Sequence, residues 1–233
     1  TEKEKLDIIT VPSCWQFTGY EEPYYINSRY QFKCEPPKFP EDCPAGVYLK
    51  KFALPDAEGN YTLTFLGVAS CLDVFVNGKY VGYSEGSHNT AEFDITDKLV
   101  QGENEIVAVV HKWCTGTYLE CQDMFRNNGI FGDVYITKTG INSVYDIEMK
   151  TKRREDGAYL LDLLPVFKIA DEVFFEAVIK DGDNLIAERS LKICPGKVDK
   201  LTFDVLDVQE WSAEIPKLYD LYISLSRNGK TEE

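Results

Sequence analysis

Between Tyr118 and Val134 the chain reads YLECQDMFRNNGIFGDV, too polar for a core strand and too apolar for a free loop. Glu120 and Asp123 stand three positions apart, with Arg126 and Asp133 nearby. Paired carboxylates can carry general acid–base chemistry, and retaining cleavage of a glycosidic bond uses two of them about 5–5.5 Å apart. The plainer alternative is a solvated loop, with Asn127-Asn128-Gly129 as a turn and Arg126 paired with an acid. Spacing along the chain leaves both open, because it does not report separation in space.

A second unusual segment, VPSCWQFTGYEEPYYINSRYQF (11–32), combines Trp15, Phe17, Tyr20, Tyr24, Tyr25 and Tyr30 with Pro12 and Pro23 and shows little alternation. Aromatic faces stack on the C–H side of a sugar ring while amides and acids bind its hydroxyls, so such a segment can line a carbohydrate site. It can equally be a long peptide anchored over a sheet by its aromatics. The two histidines lack a partner pattern, and His111, within an apolar strand, reads as a satisfied core imidazole. No glycine-rich phosphate loop, GxSxG or HExxH is present.

Composition narrows the classes. With 44% hydrophobic and 13% aromatic residues, the 233-residue chain can fill one large or two ordinary cores, which excludes disorder as a general description. A net charge of −14 argues against binding nucleic-acid phosphates. No apolar run approaches the roughly 18–20 residues that span a bilayer. Seven cysteines without a CxxC pair argue against a disulfide framework or a zinc site and fit free thiols in a reducing cytosol. The opening TEKEKLDIIT has no apolar signal core, which says little about the parent protein.

The elements that must position these residues are strands. GNYTLTFLGV (59–68) alternates Tyr61, Leu63 and Phe65 with Thr62 and Thr64, the period of a half-buried strand. LDVFVNGKYVGYS (72–84) predicts a hairpin turning on Asn77-Gly78. Further on, Thr96–Leu99 predicts a short turn, and EIVAVVHKW, apolar on both faces, predicts a strand deep inside a sandwich. From Ile141 the strands become shorter and evenly spaced, at 142–152, 158–168, 172–180, 185–193, 199–207 and 218–226. Asp156-Gly157, Asp181-Gly182, Pro195-Gly196 and Asn228-Gly229 punctuate them, a spacing that fits a small immunoglobulin-like sandwich. The last strand runs into a hairpin turn followed only by KTEE, so a fragment of a longer chain is expected, with the second domain missing its last strand and an exposed edge prone to self-association.

In order along nearly the whole chain, VPSCWQFTGYEEPYYINSRYQF, DVFVNGKYVGYSEGS, EFDIT, GENEIVAVVHKW, GTYLECQDMFRNNGIFGDVYI and WSAEIPKLYDL resemble the N-terminal part of glycoside hydrolase family 2, specifically its bacterial β-galactosidases. The resemblance implies an all-β chain: a galactose-binding-like jelly-roll β-sandwich over 1–140, then an immunoglobulin-like β-sandwich over 141–233. In the family, a third domain, a TIM barrel, carries the nucleophile and the acid/base. No residue of this chain is therefore expected to be catalytic.

Two positions match sugar-binding residues of the family. Asn27, in YYINSRY, matches an asparagine that projects into the galactose pocket. Asp123, in ECQDMF, matches an aspartate that binds a galactose hydroxyl and helps hold a monovalent cation, usually sodium, whose other ligands come from the barrel. Cys121 stands where relatives often have an acid. The expectation is a non-catalytic part of a retaining β-galactosidase, with weak affinity for β-galactosides alone. It needs no cofactor of its own, while the full-length parent, a cytoplasmic homo-oligomer, uses sodium and magnesium. Its partner is the missing catalytic domain, with no nucleic acid and no membrane. The alternatives are a stand-alone carbohydrate-binding module and a structural scaffold.

Overall fold

A computed structural model of the chain describes all residues except 1–5, 26–29, 121–122, 197–199, 206–207 and 233. The chain divides into two compact units, 1–138 and 139–233, each all-β. Among the described residues, no helix is long and apolar enough to cross a membrane.

The first unit is a jelly-roll sandwich. Its strands are β1 (Ser13–Cys14), β2 (Ala45–Leu54), β3 (Asn60–Phe65), β4 (Val68–Ala69), β5 (Cys71–Val76), β6 (Lys79–Glu85), β7 (Ala91–Asp94), β8 (Gly102–His111), β9 (Gly129–Ile130) and β10 (Val134–Thr139). They form a four-stranded sheet β2-β8-β5-β6, a three-stranded sheet β10-β3-β7 and a small sheet β1-β9-β4. Tyr61, Leu63 and Phe65 of β3 face a core shared with Val74, Val76, Ile106, Ala108 and Val110. Thr64, on the opposite phase, is buried as well.

The β5–β6 hairpin turns on Asn77 and Gly78, with φ of +50° and +74°, as a type I′ turn requires. The Asn77 side chain does more than permit the turn. It donates to Lys98 O and Asn104 Oδ1, both at 2.8 Å, and accepts from the Glu105 amide at 2.9 Å. The hairpin is thereby stitched to β8.

Strand β8 is central, between β2 and β5, but only one of its faces is deeply buried. Asn104, Ile106, Ala108 and Val110 point inward, while Val107, Val109 and His111 lie half-buried on the outer face. The apolar-on-both-faces pattern therefore marks a sheet whose second face is only partly covered. His111 is correspondingly not a core residue: its Nε2 lies 3.0 Å from Asp73 Oδ2 on that outer face.

The second unit comprises β11 (Ser143–Arg153), β12 (Tyr159–Lys168), β13 (Val173–Asp181), β14 (Asn184–Ile193), β15 (Leu201–Val205), β16 (Asp220–Arg227) and β17 (Lys230–Thr231). Sheets β11-β12-β15 and β14-β13-β16-β17 enclose Leu163, Phe175, Ile193, Phe203 and Leu225, all fully buried, in an immunoglobulin-like sandwich. Asn228-Gly229 turns the chain back, and β17 pairs with β16 through Ser226–Thr231 and Arg227–Lys230.

Candidate functional site

The stretch 118–134 leaves the first sandwich at the end of β8. A 3₁₀ turn, Thr115–Tyr118, opens it, with the Cys114 amide donating to Thr117 Oγ1 at 3.0 Å. Arg126 reaches back and donates to the carbonyls of Glu120 and Thr117, the latter at 3.2 Å. Among the described residues it forms no ion pair with an acid, so the anticipated Arg126–carboxylate pair is replaced by guanidinium-to-carbonyl bonds that fold the loop on itself. Its guanidinium also lies over the Tyr30 ring, 6.0 Å from the centroid.

The Glu120 carboxylate is bound by Ser87. Its two oxygens accept from the Ser87 amide and the Ser87 hydroxyl, each at 2.6 Å, which ties the loop after β6 to this stretch. Asp133 contributes its backbone carbonyl, accepting from Leu66 N at 3.0 Å. Glu120 thus has a structural partner in Ser87, and Asp123 has its own in Tyr25.

Asn127-Asn128-Gly129 is not a turn. Gly129 enters β9, pairing with Cys14 on one side and Ala69 on the other. Its φ is +130°, and a Cβ there would sit 2.9 Å from Ser13 O. Asn128 is buried and fully used. Its amide donates to Gln16 Oε1 (2.8 Å), its Oδ1 accepts from Gln16 Nε2 (3.2 Å), and its Nδ2 donates to Lys112 O (3.1 Å). Its carbonyl accepts from Trp15 N at 2.9 Å.

These bonds place the segment 11–32 alongside 118–134. Trp15 and Gln16 are buried in a 3₁₀ turn, Trp15–Thr18. Their Nε1 and Nε2 donate to Glu21 Oε2 at 3.0 and 2.9 Å, and the Lys112 ammonium donates to Glu21 Oε1. Burial pushes the Glu21 carboxyl up, but the bonds from Lys112, Trp15 and Gln16 outweigh it and hold the group below its ordinary value. Farther along, Phe32 meets Trp113 edge-on at 5.0 Å, and Tyr30 meets Tyr118 at 5.0 Å. Trp15, Tyr30 and Phe32 are thus anchors, whereas Phe17, Tyr20, Tyr24 and Tyr25 stay exposed. The aromatic segment is a strap and also presents open rings.

Asp123 sits where the two segments meet. Tyr25 and Phe125 form an antiparallel bridge, the Arg126 amide donates to Tyr24 O at 2.8 Å, and the Tyr25 and Phe125 rings lie 5.5 Å apart. The Tyr25 hydroxyl donates to Asp123 Oδ1. Asp123 itself has φ +52°, a left-handed backbone that Asp tolerates better than most residues. Asp123 is exposed, as are the nearby Tyr24, Tyr25, Met124 and Phe125. Asn27, the other expected sugar ligand, and Cys121 lie outside the described residues.

Asp123 offers hard carboxylate oxygen, the donor type suited to a monovalent cation. Among the described residues no group of three or more His, Cys, Asp and Glu side chains converges to hold a metal ion. A cleft of about 620 Å³ lies apart from Asp123, lined by residues 7–10, Ser13 and Thr18–Tyr20.

The neighbours missed by sequence reading are Gln16, Glu21, Lys112 and Asn128. A buried charge and buried amides would have flagged them, but burial is not visible in sequence.

Both parts of the chain match a known family. The family description "Glycosyl hydrolases family 2, sugar binding domain" matches residues 1–140, and "Glycosyl hydrolases family 2" matches 131–233. The chain belongs to the glycosyl hydrolases family 2.

More particularly, it is 39% identical over 236 residues to the β-galactosidase of Staphylococcus xylosus, covering all of this chain and 23% of that protein. It is 38% identical over 216 residues to the β-galactosidase of Actinobacillus pleuropneumoniae, covering 92% of this chain and 21% of that one. The chain thus spans less than a quarter of the length of these relatives. Among solved structures, the FMN-binding β-glucuronidase from Facaelibacterium prausnitzii L2-6 superposes with a TM-score of 0.74 at 21% identity, over 99% of this chain and 35% of that one, a likeness of fold.

Proposed function

We propose that this chain is the sugar-binding and immunoglobulin-like portion of a retaining β-galactosidase, and that Asp123, with Asn27, forms one wall of the galactose subsite. The catalytic glutamates then belong to a barrel outside these 233 residues. The observation that carries the reading is the posture of Asp123: exposed, left-handed and pinned by Tyr25 at the junction of two loops. The identities of 38–39% to β-galactosidases over nearly the whole chain support the substrate class.

Asp123 and Asn27 would hold sugar hydroxyls as the ring flattens toward an oxocarbenium-like state, so their binding would be felt most in the transition state. Asp123 would also give one oxygen to a bound sodium ion, which would neutralise the carboxylate and offer a hydroxyl a positive partner. Magnesium, implied for the parent, enters no step here. A cytosolic, homo-oligomeric parent completes the proposal, the cytosolic part resting on the free thiols.

The test is Asp123→Asn in the full-length enzyme. A charged hydrogen bond contributes about 1.5–3 kcal/mol, so kcat/KM should fall about 10- to 100-fold, and more if the cation is lost too. The activation by sodium should disappear with it. Near-normal turnover with intact sodium dependence would defeat the assignment. Calorimetry on the isolated chain should give millimolar or weaker galactose affinity, because half a site buries little of the sugar. Micromolar binding would instead favour a stand-alone binding module.

A further inference from the structure

Asp123 is exposed and has a positive φ of +52°, so neither burial nor a regular strand fixes where its oxygens point. An ionised carboxylate only accepts, through about four lone-pair sites, and it turns about its side-chain bonds unless a donor holds it. The Tyr25 hydroxyl, on the strap, donates to Asp123 Oδ1. Tyr25 is itself seated. It pairs with Phe125 in an antiparallel bridge, and the two rings lie 5.5 Å apart at an interplanar angle of 57°. Beside that bridge, the Arg126 amide donates to Tyr24 O at 2.8 Å. The hydroxyl therefore reaches Asp123 from a ring whose place is set by other contacts.

The stretch around Asp123 is held without that bond. Arg126 donates to the carbonyls of Glu120 and Thr117, and Ser87 binds the Glu120 carboxylate. Asn128 is bonded to Gln16, Lys112 and Trp15. What the Tyr25 hydroxyl adds to these ties is the orientation of the Asp123 carboxylate.

We propose that Tyr25 is a positioning residue of the sugar site: its hydroxyl fixes Oδ1 of Asp123, so that Oδ2 meets the sugar in one orientation. The inference rests on the assignment of Asp123 to the galactose subsite. A hydrogen bond to an ionised acceptor is among the stronger ones, and one phenol leaves Oδ2 with its lone pairs. Ordering the carboxylate before the sugar arrives removes that cost from binding. The gain is largest for a contact that tightens as the ring flattens, so it appears chiefly in kcat. Tyr25 acts through Asp123 and does not itself touch the sugar.

Tyr25→Phe tests this, because it keeps the ring, the contact with Phe125 and the backbone bridge and removes only the hydroxyl. In the full-length enzyme kcat/KM should fall about 5- to 20-fold, less than in Asp123→Asn and mainly through kcat. Calorimetry with a galactose-type competitive inhibitor should show affinity weakened about 3- to 10-fold. In an Asp123→Ala background, where nothing is left to orient, adding Tyr25→Phe should change either quantity by less than about 2-fold. In the 233-residue chain, exchange of the Arg126 amide should be the same with and without the hydroxyl. An equal loss in both backgrounds would place Tyr25 on the sugar itself and overturn the positioning role. Faster Arg126 exchange in Tyr25→Phe would overturn it too, making the hydroxyl a tie for the loop. Parent-like kinetics in Tyr25→Phe beside a crippled Asp123→Asn would sink this inference and leave the Asp123 assignment standing. Parent-like kinetics in Asp123→Asn would remove that assignment and this inference together.

Discussion

At the residue scale, Asn128 and Gly129 explain how the stretch that follows Asp123 is held in a defined shape. Asn128 uses its amide, carbonyl and both side-chain polar atoms on Gln16, Lys112 and Trp15, and it is buried while doing so. Truncating one partner leaves the other desolvated, which costs more than the bond itself contributes. Asn128→Ala should therefore lose about 1–3 kcal/mol in chemical denaturation, with an unchanged m-value. Gly129→Ala forces a Cβ to within 2.9 Å of Ser13 O at a φ of +130°, so it should be the more damaging change. If both variants melt like the parent, the loop is not held by this node.

At the element scale, the strap 11–32 is joined to the end of β8 by the Glu21–Lys112 ion pair, whose lysine side chain is only 9% exposed. Glu21 is depressed below its ordinary value of 4.5 in the folded protein. The sign follows from linkage: a depressed carboxyl contributes stability that is present above the unfolded value and lost as pH falls through the folded one. Glu21→Gln should accordingly be less stable than the parent near pH 7, and the difference should narrow as pH drops below about 4.5. Thermal melts across pH 3 to 7 measure this. A gap of constant size, or one that widens in acid, would show that the pair does not act electrostatically. The hairpin β5–β6 and the strap share the logic that a side chain near a turn, Asn77 or Glu21, also bonds a residue far along the chain, in β8 or just after it.

On the scale of the whole molecule, the chain has two separate cores, each built from one unit. Phe65 is central to the first and Phe175 to the second, both fully buried. Phe175→Ala should cost about 3–5 kcal/mol, and its increase in amide exchange should concentrate in β11–β17. An equal rise throughout the first unit would mean that the two cores unfold as one. The half-buried outer face of the β2-β8-β5-β6 sheet, with Val47, Leu49 and Tyr80 exposed, is the largest departure from the sequence expectation. Alternation reports two apolar faces but not whether each is covered, so β8 reads as deeper than it is.

What the sequence determined by itself is whatever is written within a few residues. The strand periods of β3 and of β11 to β16, the Asn77-Gly78 turn, the 3₁₀ turn at Thr96–Lys98 and the all-β class follow from local side-chain alternation and backbone preference. Family motifs along the chain pointed to Asp123. Tertiary structure alone decided what each polar residue does. Glu120 binds Ser87, 33 positions away. Gln16 finds Asn128 across 112 positions, and Tyr25 finds Asp123 across 98. The physical reason is that a hydrogen bond depends on separation in space and on burial. The jelly-roll topology brings the strap and the loop after β8 together, and no local pattern in either segment specifies which groups then meet.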